Sequence, residues 1–546
     1  MSENKITSAS TASYFASNLQ QIGFSSPVKA VLTSVKEAVD NSLDACEEKG
    51  ILPEIWVEIE KIGPGTMKNT DQIRILVRDN GPGLEIDDVP KVFGEYLASS
   101  KFGRGRCSRG QQGIGISGLT TWAQTTSAQG LKIITKTKKM KKAYSCIVEV
   151  DIKNNKGIVK SPKNNVEVGY SHGVQIEAIL DGKAQLNGEA GLLTYLTGTA
   201  LVNPSLTLHY KLPDQEEVTI ERVSEEVPSL PPAVEPHPHT MKLGEFISHS
   251  GLFSGVKTKF WLKESFSRMS DSNIKDLINK GLNKKILDKN VEQLNNEEKK
   301  ELYSKVQDIT LMPPSTRSVR QIGEENLAKS IQRLGEVDFF AVVSRKPTIC
   351  DFKPVQIEIA VARLKEKSGE VDSPIQVLRF ANLVPLQFDK KACVTVQALE
   401  SVNWKSYGLN QAKESLPTGP YIFAISIVSP FIKFKNASKE TIDASEELMQ
   451  EIRLALIQAG QKLSKFVKRE AKAEDLEAKI RHIEQFMPIF VESLLKISKE
   501  PKTRRDKLEK GLKKILGRDT QEAKAELAKA EEVLEKHKEK EDYEQK

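Results

Sequence analysis

The chain has 546 residues, a formal net charge of +7 and 38% hydrophobic residues, which excludes a disordered or disulfide-scaffold protein and leaves room for several domains. No apolar run approaches the roughly 20 residues that span a bilayer and no signal sequence opens the chain, so no membrane-spanning helix is expected and a cytoplasmic setting is. The mild positive charge permits nucleic-acid contact, and the five scattered cysteines and seven histidines show no metal-ligand spacing.

The first ten residues are polar and expected to lack fixed structure of their own. Ser26 as N-cap, Pro27 as first helical residue and Gly50 as stop signal predict a helix between them. Val28, Val31, Leu32, Val35 and Val39 form its apolar stripe, while Glu37, Asn41 and Asp44 share another face. A carboxylate and an amide one turn apart can serve one site. The carboxylate takes a proton from water and the amide oxygen ligates a hard cation such as Mg²⁺. A solvated helix face is the plain alternative.

Ile55 to Glu60 reads as a strand, Lys61 to Asp71 as a loop, and Gln72 to Arg78 as a second strand running into Asp79-Asn80-Gly81-Pro82-Gly83. An aspartate at a strand end followed by close glycines lets backbone approach a ligand while the carboxylate accepts a donor; a simple turn is the other reading. Ser99-Ser100-Lys101 and then Arg104, Arg106 and Arg109 lead into Gly110-Gln111-Gln112-Gly113-Ile114-Gly115-Ile116-Ser117, with a helix expected from about Ile116. Such a glycine loop at a helix N-terminus exposes N–H groups to phosphate, and the preceding cations add charge. It is neither a Walker loop nor a dinucleotide fingerprint. Leu131 to Lys136, Ala143 to Ile152, Val174 to Leu180 and Leu206 to Lys211 complete a largely antiparallel α+β unit, with Ser171-His172-Gly173 turning into one strand.

Five prolines between Val227 and Pro238 mark a stiff linker. Lys242 to about Leu311 is helical and polar, with Ser270 and Asn295 as caps. Strands return at Ile357 to Ala362, Ile375 to Phe380 and Tyr421 to Val428. Trp404-Lys405-Ser406-Tyr407-Gly408 between them reads either as a packed tryptophan or as a nucleic-acid contact. A long helix is expected from about Glu440 to Arg469, with Lys439 at its start. A cation there opposes the helix dipole, which a nearby anion would relieve. From Ala471 the chain is helical and charged, and Glu522 to Lys546 is rich in Glu, Lys and Ala.

The ordered set Glu37-x-x-x-Asn41, Asp79-x-Gly81-x-Gly83, Gly110-x-x-Gly113-x-Gly115 and the Gly173 turn resembles the GHKL ATPase fold of gyrase B, MutL, heat-shock chaperones and histidine kinases. Phe24, Leu43-Asp44-Ala45, Gly50-Ile51-Leu52-Pro53, Ser99-Ser100-Lys101, Trp404-Lys405-x-Tyr407-Gly408 and Lys439-Glu440-Thr441-Ile442 are similar to the B subunits of type IIB DNA topoisomerases, the topoisomerase VI family. This resemblance extends to about residue 470. It implies an α+β chain: a GHKL (Bergerat) ATPase sandwich over 1–228, a helix-two-turn-helix domain over 229–312, an S5-like transducer over 313–470 and a helical extension over 471–546.

The resemblance also implies roles. Glu37 would be the general base and Asn41 the Mg²⁺ ligand. Asp79 would accept from the adenine amino group of ATP. Ser100 and Lys101 would line the nucleotide, with Gly110, Gln111, Gln112, Gly113, Ile114, Gly115, Ile116 and Ser117 as the lid. Lys439 would reach the γ-phosphate. Two departures stand out: Val174 replaces the family's usual threonine, and Ser117 a frequent lysine. No Asp-x-Asp pair occurs, so strand cleavage would need a second chain. The implied machine is an ATP-driven homodimer that clamps double-stranded DNA and drives a Toprim-bearing A subunit with a nucleophilic tyrosine, in an A2B2 heterotetramer. A GHKL chaperone-type ATPase clamp, stimulated by a protein client, is the alternative.

Overall fold

The computed structural model describes residues 10–99, 105–110, 112–365, 372–436, 438–443, 445–498, 506–507 and 510–511. The expectations for residues 1–9, for Ser100, Lys101, Arg104 and Gln111, and for the tail from residue 512 lie outside the described residues.

Helix α1 (Thr11–Ser17) precedes α2 (Pro27–Glu48). The Ser26 hydroxyl caps α2 by accepting from the Lys29 N–H at 3.2 Å. Its far end closes as a Schellman turn: Gly50 takes φ +66°, its N–H bonds Glu47 O, and the Ile51 N–H bonds Cys46 O at 2.9 Å. Strands β1 (Glu54–Pro64) and β2 (Asp71–Asp79) form a hairpin with a shorter loop than expected. A register shift between Lys61 and Gly63 breaks the alternation that would have marked the end of β1. There follow α3 (Val89–Gly94), α4 (Gly115–Ser127), β3 (Leu131–Lys136), β4 (Ala143–Asp151), β5 (Lys156–Val166), β6 (Gly173–Gly182), α5 (Leu192–Val202), β7 (Thr207–Lys211) and β8 (Val218–Ile220).

The eight strands make one sheet in the order β5-β4-β3-β6-β2-β1-β7-β8, antiparallel except for the β1–β7 pair. The α2 stripe Val31, Leu32, Val35 and Val39 is buried in one core with Val57 and Ile75 of the sheet and Leu119 of α4. Each such side chain contributes on the order of 1.5–3 kcal/mol. Strand β5 escapes sequence reading because most of its residues are exposed on both faces, so it carries no apolar alternation.

A helical unit of α6 (Leu243–Ser250), α7 (Thr258–Ser265), α8 (Asp271–Asn279), α9 (Lys284–Asp288) and α10 (Asn296–Asp308) has its own core around Phe246, Trp261, Leu277 and Leu302. Ser270 caps α8 and Asn295 caps α10, as the sequence indicates. Beyond it come α11 (Glu324–Ile331), β9 (Val337–Ser344), β10 (Thr348–Cys350), β11 (Lys353–Leu364), β12 (Gln376–Ala381), β13 (Val384–Leu386), α12 (Val394–Ser401), β14 (Asn410–Gln411), β15 (Pro417–Thr418), β16 (Tyr421–Val428) and α13 (Glu446–Ser498).

The second sheet runs β10-β11-β16-β12-β13, with β9 beside β11. Every residue of β16 is buried, because both faces of the sheet are covered. On one face β16 supplies Phe423 and Ile425 to a core with Leu399 of α12 and Ile452 and Leu456 of α13. On the other, Ala424 joins Ala360, Phe380 and Ile331 in a core that also holds Leu201 and Val202 of α5, so α5 ties the two sheets together.

One expectation changes here. Lys439 is not at a helix start: α13 begins at Glu446, and residues before it form a tight loop bridged by Phe434 and Ile442. The Glu440 N–H is held by Asn436 Oδ1 at 2.9 Å, and Lys439 itself is left-handed at φ +54°. The helix-dipole argument for Lys439 therefore falls away. Trp404 is fully buried, donates its indole N–H to Leu399 O at 2.8 Å and packs edge-on to Phe423, so it is a core residue beside an exposed Lys405. All five cysteines are unpaired, and among the described residues no helix is long and apolar enough to cross a membrane.

Candidate active site

A cavity of about 360 Å³ lies between α2, the end of β2, the glycine loop before α4 and a loop of the second sheet's domain. Of the residues singled out from sequence, Glu37, Asn41, Asp79, Gly110, Gln112, Gly113, Ile114, Ile116 and Lys439 line it.

Asp79 is buried at the floor, and the glycine turn after it serves as its anchor. Oδ1 accepts from the Gly81 N–H at 2.9 Å and the Val174 N–H at 3.1 Å, and Oδ2 from the Ser42 hydroxyl at 2.8 Å. Burial raises the pKa of this carboxyl, and the three donors pull against it. Oδ2 has one of these three protein donors and retains capacity for another from a ligand. Gly173 stands in the left-handed region at φ +140°, where a Cβ would lie 2.0 Å from Asp79 O. The turn into β6 is thus glycine because the Asp79 backbone presses on it. Val174 enters this arrangement through its backbone N–H, while its side chain lines the cavity.

Glu37 faces Gly115, the first residue of α4. A Cβ there would sit 1.9 Å from Glu37 Oε2, so the close approach of α4 to the carboxylate requires glycine. The N-cap of α4 is Ile114, which offers no side-chain acceptor. No N-cap side chain accepts from its first-turn N–H groups, the donors with which a helix start can meet an anion. Gly113, at φ +60°, gives its carbonyl to the Leu97 N–H at 2.8 Å and fixes the loop over the cavity.

Ser117 does not belong to the loop. It is two residues inside α4, fully buried, and donates to Glu95 O at 2.8 Å. Arg109, expected as one of the cations toward a phosphate, points away from the cavity. Its guanidinium is buried against Asp44 at 2.9 Å and Glu47 at 2.8 Å. Asp44 is therefore part of an internal ion pair and not of a solvated face.

Lys439 arrives from the second domain. Its Nζ donates to Arg109 O at 3.0 Å, with the carboxylates of Glu37, Asp40 and Asp44 as its neighbouring negative charges. Burial lowers its pKa, and Glu37 is the first of the charges that oppose this. Asp40 sits beneath it, pushed up to about 7 by burial and 3.3 Å from the Tyr195 hydroxyl. Gln387 and Phe388, which sequence reasoning missed, also line the cavity from this domain. Lys29 covers the Phe388 ring at 4.3 Å and pairs with Glu440 at 2.8 Å, so the two domains are clasped at the cavity rim. Nothing in the local sequence of Phe388 distinguishes it from a core residue.

Residues 28–153 match the family model of histidine kinase-, DNA gyrase B- and HSP90-like ATPases, and residues 314–479 that of the topoisomerase VI B subunit transducer. The B subunit of type 2 DNA topoisomerase 6 from Archaeoglobus fulgidus is 33% identical over 495 residues, covering 90% of this chain and 80% of its own. The corresponding protein of Pyrococcus abyssi is 30% identical over 537 residues, covering 90% and 92%. Among solved structures, the ATPase region of Saccharomyces cerevisiae topoisomerase II aligns over 84% of this chain and 100% of its own at 10% identity, with a TM-score of 0.40, too loose a superposition to bear on the site. An ATPase family match and a transducer match in one chain, with relatives at least 30% identical over 90% of it, lead to one assignment: the chain belongs to the topoisomerase VI B subunit family.

Proposed function

We propose that the cavity binds ATP with Mg²⁺ and hydrolyses it, and that this drives a type IIB DNA topoisomerase. The observation that carries the reading is the convergence, on one cavity, of Glu37 and Asn41 from α2, the anchored Asp79, the glycine loop and Lys439 from the second domain. The residues suit a nucleotide. Asp79 Oδ2 has capacity for an adenine amino donor. The start of α4, where Ile114 supplies no side-chain cap, suits phosphate oxygens. Ser100, Lys101 and Gln111 are assigned to the nucleotide by family resemblance alone.

In hydrolysis, Glu37 takes a proton from water as the water oxygen bonds to the γ-phosphorus and the bond to the β–γ bridging oxygen breaks. Asn41, which lines the cavity one turn from Glu37, would hold Mg²⁺ through its amide oxygen, and the metal would neutralise phosphate charge. Lys439 donates to the γ-phosphate, so ATP offers it an anion that ADP lacks. Loss of that partner loosens the transducer from the ATPase domain.

We assign residues 1–228 to the ATPase domain, 229–312 to the helix-two-turn-helix domain, 313–470 to the transducer and 471–546 to a helical extension. Two copies dimerise on ATP, enclose a DNA duplex and drive an A subunit that cuts and passes strands, in an A2B2 assembly. The five unpaired cysteines support a cytoplasmic setting. The test is Glu37→Ala. A general base contributes about 10²–10⁴-fold, so turnover should drop at least about 100-fold while nucleotide-driven dimerisation persists. Loss of both together would count against Glu37 as the base.

A further inference from the structure

Arg109 is the residue from which the chain enters the glycine loop, and its buried side chain is the hub of an ionic cluster between domains. Nη1 donates to Asp44 Oδ1 at 2.9 Å and Glu47 Oε2 at 2.8 Å. Nη2 donates to Glu47 Oε1 at 2.9 Å and to Asn203 Oδ1. The same Glu47 carboxylate takes a second fork from Arg320, at 2.7 and 3.1 Å. Asp44 turns back to the loop, its Oδ2 accepting the Gly110 N–H at 3.2 Å. Asp44 and Glu47 continue the helix that carries Glu37 and Asn41, whereas Arg320 lies in the stretch matched to the transducer.

Arg109 is therefore held by the transducer at two places. Lys439 reaches its backbone carbonyl, and Arg320 reaches its side chain through Glu47. In the cluster Arg109 faces Asp44 and Glu47, and Arg320 faces Glu47. Burial alone would raise the Glu47 pKa, but the two guanidiniums hold it down to about 2, so the charge is present at any physiological pH. Two opposed Arg–carboxylate forks are exacting in geometry. A buried ion cluster is a poor means of gaining stability over apolar packing. What it supplies is a defined orientation, and moving Arg320 would leave the fork on Glu47 broken.

We infer that Arg109, Glu47 and Arg320 are positioning residues that fix the root of the glycine loop against the transducer. A nucleotide-induced shift of Arg109 is transmitted to the transducer through Arg320 as well as through Lys439. This rests on the ATPase reading above.

The test uses the full chain, Mg²⁺ and a non-hydrolysable ATP analogue. Analogue affinity, ATP turnover, analogue-driven dimerisation and thermal midpoint are compared for wild type and Arg320→Gln. Affinity should stay within about threefold, while the analogue concentration that drives half-dimerisation rises about tenfold, within the range of allosteric couplings. Arg320→Lys, with a point charge in place of a fork, should fall between them. A wild-type dimerisation response overturns the inference, as does a loss of affinity and dimerisation in step with a lowered thermal midpoint. If Arg320→Gln does not fold, Glu47→Gln, which keeps the shape and removes the charge, must show the same split, and a wild-type response from it overturns the inference. A wild-type chain that fails to bind the analogue at all would instead overturn the ATPase reading.

Discussion

Lys439 Nζ donates a 3.0 Å hydrogen bond to the carbonyl oxygen of Arg109, 330 residues earlier in the chain. The contact brings a lysine of the second domain into a cavity walled chiefly by α2, β2 and the glycine loop. The lysine lies beside the carboxylate assigned as base, and burial lowers its pKa, so an anionic partner in the cavity would relieve a desolvation cost already present.

Replacing Lys439 with Met should lower ATP turnover by about 100-fold, the usual effect of removing one donor to developing charge. ADP affinity should hold within about threefold while affinity for a non-hydrolysable ATP analogue drops. Steady-state kinetics and binding isotherms measure both. Equal losses for the two nucleotides would mean that Lys439 does not read the γ-phosphate.

Gly115→Ala places a methyl group 1.9 Å from Glu37 Oε2, so either the carboxylate or the start of α4 must move. Turnover should fall at least about tenfold, as misplacement of a reacting group by about 1 Å does. The thermal midpoint should change little, because Gly115 is only half-buried, at the first turn of α4. A variant with normal turnover would show that the Glu37 position is not critical.

Much of this site was legible in the sequence, for physical reasons. Ser26, Pro27 and Gly50 set the limits of α2 through local hydrogen bonding, which the chain carries in its own order. The glycine loop and its helix were legible because φ > 0 and close approach leave a compositional trace. Arg109 was misread as a phosphate cation because its partners, Asp44 and Glu47 on α2 and Asn203 after α5, are set by tertiary packing and leave no spacing signal around Arg109 itself. Family resemblance, not local sequence, pointed Lys439 to the cavity that it lines, and the helix-dipole argument for it failed, since the loop closed by Phe434 and Ile442 delays the helix to Glu446. Strand β5 was missed because most of its residues are exposed and it carries no apolar alternation, and Phe388 because a residue that enters a cavity from another domain looks like any other apolar residue.

Asp40 should make stability depend on pH. Its folded pKa is raised by burial from 3.8 to about 7, so its contribution is complete below about 4 and is lost as pH rises through about 7. Between those values stability should fall by up to about 1.4 kcal/mol per pH unit from this group. Asp40→Asn keeps an acceptor for the Tyr195 hydroxyl and removes the titration. The gap between variant and wild-type unfolding midpoints should therefore widen in the variant's favour from pH 5 to pH 8. A gap that does not vary with pH would mean that Asp40 stays ionised.

Trp404 and Lys405 should separate packing from DNA contact. Trp404→Ala removes a fully buried ring and should cost about 3–5 kcal/mol of stability. Lys405→Ala, at an exposed site, should leave the unfolding midpoint unchanged and reduce DNA stimulation of ATP turnover more than the basal rate. Equal loss of basal and stimulated turnover in Lys405→Ala would assign it no part in DNA contact.

The most direct test is a crystal structure of the full chain with Mg²⁺ and a non-hydrolysable ATP analogue. The expected result is adenine against Asp79, the triphosphate under the glycine loop with Asn41 on the metal, and Lys439 moved from the Arg109 carbonyl to the terminal phosphate. An empty cavity, or a bound analogue with Lys439 turned toward solvent in the closed dimer, would contradict the account.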